Sequence, residues 1–518
     1  MDPEVDIEIM KSVEISMALT TSKRHKHIFF HGWRIEMQIK DKARRIQGTL
    51  RGHKAAITAI ELVYLPTSIT FTDQSTNITQ DTQFLRPSLL TGDETGLVIW
   101  WDLATRRPIS KWQAQGHKGS KLPCGVTTLQ QLGLTWHNSE NGSFEVPEID
   151  LQWYGCVLSH GKDGEVKIWR LFEAVSCGDH GLAFKPMMVA KQKLPTPIFT
   201  MPVNMLNFSN VEMHSGGVIA TPGTQDTGAF DVYEISAPSA VTDKRTPALS
   251  RKLKAVDISK FIEIQHDQTT DTVSGQRAGF GIVMKVRWIG TERLTVGYES
   301  GAVVIYRIDR QDEKNWKIQP VVVDYTHKPE PITALLYDNV RDIVLTGSST
   351  DKIAWLCNAK HLNDTNDGIF DSTECTKVYH MEHNGISDIS ISTSGHVGVV
   401  TWDGYSRFYE YTDGEVENSS LKFVFKVKRQ MPSIADNRLY ATDDIKQQDM
   451  LHPQKASVVL YSKRQVEYYA LKEKREILYN NGMSKNLVRR RLERDLDSRW
   501  MLIGYKDGRV AVYKLESE

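Results

Sequence analysis

One pattern constrains this chain more than any other. A short apolar run is followed by a turn, then by an alternating run that closes on an aromatic, a polar and an aliphatic residue. "LLTGDETGLVIWWDL" closes on Trp101-Asp102-Leu103, "LSHGKDGEVKIWRL" on Trp169-Arg170-Leu171 and "GAFDVYEI" on Tyr233-Glu234-Ile235. "LTVGYESGAVVIYRI" closes on Tyr306-Arg307-Ile308 and "MLIGYKDGRVAVYKL" on Tyr513-Lys514-Leu515, while "VVTWDGYSRFYEY" ends on Tyr409-Glu410-Tyr411. "VLTGSSTDKIAWLCN" is a poorer copy, with Trp355 one place early. Period-two alternation on either side of Gly/Asp turns reads as a β-hairpin. Most copies are preceded by another short β-like run: "AITAIEL", "VNMLNFS", "VMKVRWI", "PITALLY" or "GISDISI". A four-stranded unit of roughly 40–50 residues cannot bury both of its faces alone, and stacking such units in a ring does so. The expected fold is an all-β propeller.

"LRGH" at 50–53, "WWDL" and "QGHKGS" look like the punctuation of WD repeats. Together with "SHGKDGEVKIW", "VNMLNF", "GYESGAVVIY" and "VTWDGYSRFYEY" in this order, they resemble the fungal ASTRA-associated WD-repeat protein family. The animal counterpart of that family is the G-protein-beta-subunit-like protein. The resemblance covers about residues 48–430 and 498–518, and His160 matches the family's histidine after the serine. It implies a seven-bladed WD-repeat β-propeller and a nuclear scaffold with no catalytic activity and no cofactor. It also implies partners: the subunits of the ASTRA assembly, linked to chromatin remodelling, and the cochaperone complex that matures phosphatidylinositol-3-kinase-related kinases.

The blade count turns on 431–497. "SVVLYS" supplies a first strand for blade seven, and the Glu/Lys/Leu/Arg-rich stretch that follows predicts a helical insertion in that last blade. Reading "ASVVLYSKRQVEYYAL" as a further hairpin would make eight blades. Residues 1–46 are expected to form an N-terminal extension, partly disordered or a short helix, and the propeller to span 47–518. Since the chain ends almost directly after the third strand of the last blade, the ring is expected to close by pairing 47–50 with 509–515. Polar stretches at 66–87, 133–150 and 236–281 read as surface loops.

Ser159, His160 and Asp163 lie within a few positions of one another and raise the question of a hydrolase triad. A nucleophile needs an exposed, strained serine and an oxyanion hole. The surrounding alternation instead puts Ser159 on an interior strand. In WD repeats, a histidine ahead of the first strand, a Ser/Thr on the second, an Asp in the turn and a Trp on the third form one structural network. Blade two matches with His117, Ser159, Asp163 and Trp169. In the first blade Thr91 and Trp101 survive, but Thr95 stands at the aspartate's place. The first strands lining the channel look apolar or small, as with Ala59 and Ala334, which speaks against a propeller hydrolase.

Lys+Arg and Asp+Glu both number 64, so no global field draws nucleic acid or an anionic membrane. The acidic start "MDPEVDIEIM" lacks a secretory pattern, and five cysteines without a CxxC pair suit a reducing nucleus or cytosol. His25, His27 and His31 lie in a solvated basic segment without acidic or thiol partners, and "GQRAGFG" (275–281) reads as a flexible linker. "NLVRRRLERDL" is a basic helix face whose arginines pair with Glu493, Asp495 and Asp497, or else a partner-docking element through Arg489, Arg490 and Arg491. A G-protein-beta-like signalling adaptor would need an N-terminal coiled coil, and 1–46 carry no sustained heptads. Protein partners are expected, with no metal, no small-molecule substrate, no direct nucleic acid and no membrane.

Overall fold

The computed structural model describes residues 46–515 apart from 74–78, 117–123, 139–144, 177–181, 187–194, 196, 205–208, 237–246, 263–278, 313–314, 365–367, 413–418, 429–454, 464–474 and 479–498. Seven sheets make seven blades, antiparallel throughout except for the short strand Phe370–Asp371, which pairs parallel to the outer strand Lys317–Asp324. Blade 1 comprises Ile57–Asp73, Thr79–Asp93, Leu97–Asp102 and Arg107–Gln113; blade 2 comprises Val126–Gln131, Cys156–Gly161, Glu165–Arg170 and Pro197–Pro202. Blade 3 runs through Glu212–His214, Val218–Pro222, Phe230–Ser236 and Ala248–Val256, and blade 4 through Val283–Ile289, Arg293–Tyr298, Val303–Asp309 and Lys317–Asp324. Blade 5 holds Ile332–Asp338, Ile343–Ser348, Lys352–Cys357 and Lys377–His380, and blade 6 holds Ile386–Ile391, His396–Thr401, Ser406–Thr412 and Ser420–Val427. Blade 7 joins Ala456–Tyr461, Arg499–Tyr505 and Arg509–Leu515 to Ile46–Arg51 from the opposite end of the chain. That last pairing is antiparallel, with Thr49 opposite Ala511 and Leu50 opposite Val510.

First strands of neighbouring blades touch around the axis. The alternating residues on each blade therefore face the next blade rather than water, which is why both faces are apolar. One repeated contact sets how closely blades approach. A Cβ added to Gly92, in the second strand of blade 1, would lie 2.7 Å from Val126 at the start of blade 2. Gly297 meets Ile332 in the same way, Gly347 meets Ile386, and Gly504 meets Ile57. A glycine in one blade receives a β-branched residue of the next, and any side chain there would wedge the blades apart.

Three expectations change. The stretches 66–87 and 133–150 are not loops. The first belongs to a long hairpin in which Ile57–Asp73 and Thr79–Asp93 pair out to Thr72 and Thr79, and the second forms the hairpin Leu134–Asn138/Glu145–Ile149. Thr- and Ile-rich alternation in "TSITFTD" favours strand even where the composition is polar. The stretch 236–281 contains the fourth strand of blade 3, and Phe280 of "GQRAGFG" is a core residue against Tyr298, ring centroids 5.6 Å apart. The first strand of blade 3 is Glu212–His214, not "VNMLNFS". Val203 and Asn204 instead dock by hydrogen bonds on Gly164 and Gly223.

The helical insertion is the third correction. Arg475–Leu478, inside the stretch expected to be helical, is a β-strand paired with Thr70–Asp73. Helix propensity separates these residues by only tenths of a kcal/mol each, whereas the protruding edge of the long blade 1 strand offers unpaired backbone groups that a strand satisfies. The rest of the stretch, with Arg489, Arg490 and Arg491, lies outside the described residues, as does the extension up to residue 45.

Candidate functional site

The serine that raised the question of catalysis is 1% exposed. Its Oγ accepts from Trp169 Nε1 at 2.8 Å and from Gln115 Nε2 at 2.8 Å. Asp163 accepts from the backbone N–H of Gly116 at 2.7 Å. Ser159 and Trp169 thus share hydrogen bonds with Gln115, which supplies the donor that was expected from a histidine, while Asp163 meets this group only through the backbone of the neighbouring Gly116; His117 is outside the described residues. The adjacent His160 points to the other side of the strand, 2.8 Å from the Thr127 hydroxyl, and burial pushes its imidazole down to about 4. It is neutral and does not face Ser159, so no base activates this serine.

Blade 1 carries the fuller network, which the sequence reading missed. His53 Nδ1 donates to Asp93 Oδ2 at 2.7 Å, and its Nε2 lies 2.7 Å from Thr91 Oγ1, which also accepts from Trp101 Nε1 at 2.8 Å. The carboxylate comes from Asp93, not from position 95. Thr95 itself donates to Asp93 through its N–H and hydroxyl. A search two residues beyond Thr91, rather than four, would have found it. Burial works to raise the Asp93 pKa, but the hydrogen bonds from His53 and Thr95 outweigh it and hold the carboxyl below its usual value. The atoms have the connectivity of an acid–base–nucleophile triad, yet all are buried and Thr91 is committed to the indole. They clamp one blade.

The channel differs from its reading as apolar. Glu61, Glu212, Lys285, Arg287 and Asp388, from blades 1, 3, 4 and 6, face one another across it and interact electrostatically. Each carboxylate also caps an inner strand of the following blade. Glu61 accepts from Gln131 N at 3.3 Å, Glu212 from Trp288 N at 2.9 Å and Asp388 from Val459 N at 2.8 Å. Gln130 bonds both N and O of Met213, and Asn210 both N and O of Val286. The first strand of a blade has a free backbone edge, and these side chains satisfy it. Arg287 donates to Glu212 Oε1 at 2.9 Å. Desolvation dominates the titration: it raises Glu61 to about 7 and Asp388 to about 6 against the lowering effect of their hydrogen bonds and of Arg287 and Lys285. Among the described residues no group of three His, Cys, Asp or Glu side chains could hold a metal ion.

These shifts predict an unusual pH dependence. A carboxyl whose pKa is raised on folding keeps an extra proton in the native state between its unfolded and folded values. Stability therefore falls as pH rises through about 4.5 to 7 for Glu61 and about 3.8 to 6 for Asp388, and levels off above. Each contributes about 2–3 kcal/mol. Glu61→Gln keeps an oxygen for Gln131 N and cannot ionise. Urea unfolding from pH 5 to 8 should show a flatter slope for this variant and higher stability at pH 8. A slope equal to that of the unsubstituted protein would rule this out.

Antiparallel order puts every first-to-second and third-to-fourth strand connection on one face of the ring. The long blade 1 hairpin, the 134–149 hairpin, the hairpin Phe172–Ser176/Leu182–Pro186 and the strand Arg475–Leu478 all emerge there, from the adjoining blades 7, 1 and 2. Tyr64 organises this region: its carbonyl accepts from Tyr154 Oη at 2.8 Å, its hydroxyl accepts from Lys463 N at 2.7 Å, and its ring packs edge-on against Trp136 at 4.9 Å. The Trp136 carbonyl accepts from Asn339 of blade 5 at 2.9 Å, so the hairpin reaches across the channel mouth.

The fold and these networks define a seven-bladed β-propeller whose buried hydroxyl, imidazole and carboxylate groups hold blades together. The sequence model of ASTRA-associated protein 1 matches residues 46–513, and the chain belongs to that family. It is 30% identical over 479 residues to ASTRA-associated protein 1 of Komagataella phaffii, covering 90% of this chain and 96% of the relative. The ASTRA-associated protein 1 of Debaryomyces hansenii is 24% identical over 90% of this chain and 98% of its own length, and that of Meyerozyma guilliermondii 24% over 91% and 99%.

Proposed function

We propose that this chain is a non-enzymatic scaffold subunit of the ASTRA assembly. It acts in the nucleus, in chromatin remodelling and with the cochaperone complex that matures phosphatidylinositol-3-kinase-related kinases. The observation that carries this reading is the near full-length likeness to several proteins named for association with ASTRA. Supporting it, the catalytic-looking groups in blades 1 and 2 are consumed by internal hydrogen bonds. The three adjoining blades with insertions also give one face an enlarged surface for docking other proteins. Affinity purification of the tagged chain from nuclear extract should recover ASTRA subunits, the kinases and the cochaperone. A soluble, folded tagged chain that recovers none of them would overturn the assignment.

A further inference from the structure

The opposite face, formed by second-to-third strand turns and by the links between blades, carries a cluster that none of the networks above uses. In the blade 6 turn, Trp402 is 51% exposed. Its backbone N–H donates to the Gly385 carbonyl at 2.9 Å, and a Cβ on Gly385 would lie 2.2 Å from the indole Cδ2. The ring rests on bare glycine backbone and shows its other side to water. Three residues on, Tyr405 gathers cations: Lys428 Nζ lies 4.7 Å from its ring centroid, Lys426 Nζ 5.4 Å and Arg407 Cζ 5.5 Å.

Arg407 is neutralised by Asp403 at 2.7 Å, but no carboxylate of the described residues pairs with Lys426 or Lys428, both exposed. Lys455 extends the patch. Its stem packs within 2.8 Å of where a Cβ on Gly404 would be, and its carbonyl accepts from the N–H of the exposed Lys506 in the blade 7 turn. Against these four ammonium groups stand the exposed Glu382 of the neighbouring loop and the carboxylates of Asp403 and Asp507, which pair with Arg407 and Arg509. Holding two like charges on one ring is unfavourable in isolation and becomes favourable when an anion arrives.

We infer that the blade 6–7 rim of this face, built from Trp402, Tyr405, Lys426, Lys428, Lys455 and Lys506, docks an acidic peptide segment of a partner protein. The ammonium groups take its carboxylates, and an apolar side chain of the segment covers the open face of Trp402. A peptide fits better than nucleic acid. The site offers one open aromatic rather than a row of them for base stacking, the cations are confined to one rim, and the chain has no net charge.

The inference deepens the scaffold reading and rests on it, but it is tested with purified protein alone, so its failure leaves the co-purification result standing. The full chain is titrated against a fluorescein-labelled Asp/Glu-rich peptide carrying one Phe, with a Lys-rich counterpart and a labelled single-stranded DNA as competing probes, by fluorescence anisotropy. The acidic peptide should bind, with affinity falling as salt rises. The double variant Lys426→Glu/Lys428→Glu should weaken it about tenfold or more, and Trp402→Ala about tenfold. Lys111→Glu, on the outer strand of blade 1, should leave binding unchanged. Melting temperatures close to that of the unsubstituted protein show that the variants fold, and the lysine pair keeps the test decisive should Trp402→Ala destabilise the turn. Absence of acidic-peptide binding, or binding indifferent to the lysine pair, overturns the inference. Tighter binding of DNA through the same lysines overturns the choice of partner.

Discussion

A chain lacking residues 1–52 will be insoluble or sensitive to protease, whereas one lacking only 1–44 will fold. The difference is one strand. Ile46–Arg51 is the fourth strand of blade 7 although it precedes blade 1 in sequence, so the ring is held shut by hydrogen bonds between its two ends. Without it, the row of N–H and C=O groups on Arg509–Leu515 faces water as an open edge, a template for aggregation. Leu50, which is fully buried, leaves a gap beside the Trp101 and Ile99 side chains that pack on Gly52. Ending the chain at Lys506 removes the partner strand and should have the same outcome. Because this contact joins residues far apart along the chain, it is expected to form late in folding. Limited proteolysis and urea unfolding of the truncations provide the measurement. A 1–52 deletion that unfolds as one cooperative transition at the usual midpoint would show that the ring does not depend on this strand.

Trp169→Ala will cost about 3–5 kcal/mol. The indole is buried where blade 2 meets blade 1, its ring centroid 6.0 Å from that of Trp112, and truncation leaves a cavity between two sheets that cannot collapse independently. It also leaves Ser159 with one donor instead of two. Ser159→Ala should cost less, about 1–2 kcal/mol, because it removes no volume to speak of but orphans the indole N–H and the Gln115 amide in the interior. Urea titration of both variants gives the comparison. A larger loss for Ser159→Ala than for Trp169→Ala, or an esterase activity that Ser159→Ala abolishes, would contradict a packing role for this network.

Much of the fold was legible because its determinants are local. Period-two alternation, turn glycines and aspartates, and the aromatic–polar–aliphatic endings are properties of single hairpins; the ending is complete in five blades, and blades 5 and 6 carry degenerate copies of it. The likeness that named the family rested on the same hairpins. The site was less legible. Asp93 is found only by following the histidine, since Asp93 and Thr95 stand two residues apart and either fits a loose repeat pattern. The channel charges sit singly in otherwise apolar strands, and nothing local says that Glu61, Glu212, Arg287 and Asp388 meet.

The sequence by itself therefore determined the class of structure, because short-range periodicity and turn chemistry decide whether a segment becomes a hairpin, while the choice of seven blades over eight was settled by the pairing of Ala456–Tyr461 with Arg499–Tyr505. Tertiary structure alone decided three things: that Arg475–Leu478 is a strand on the edge of blade 1, that four charged inner strands converge on one axis, and that lysines 426, 428, 455 and 506 share one rim with Trp402. Each depends on backbone edges or side chains brought together from distant parts of the chain. Their energy comes from ladder pairing, desolvation and Coulomb interaction, which exist only once the ring has closed.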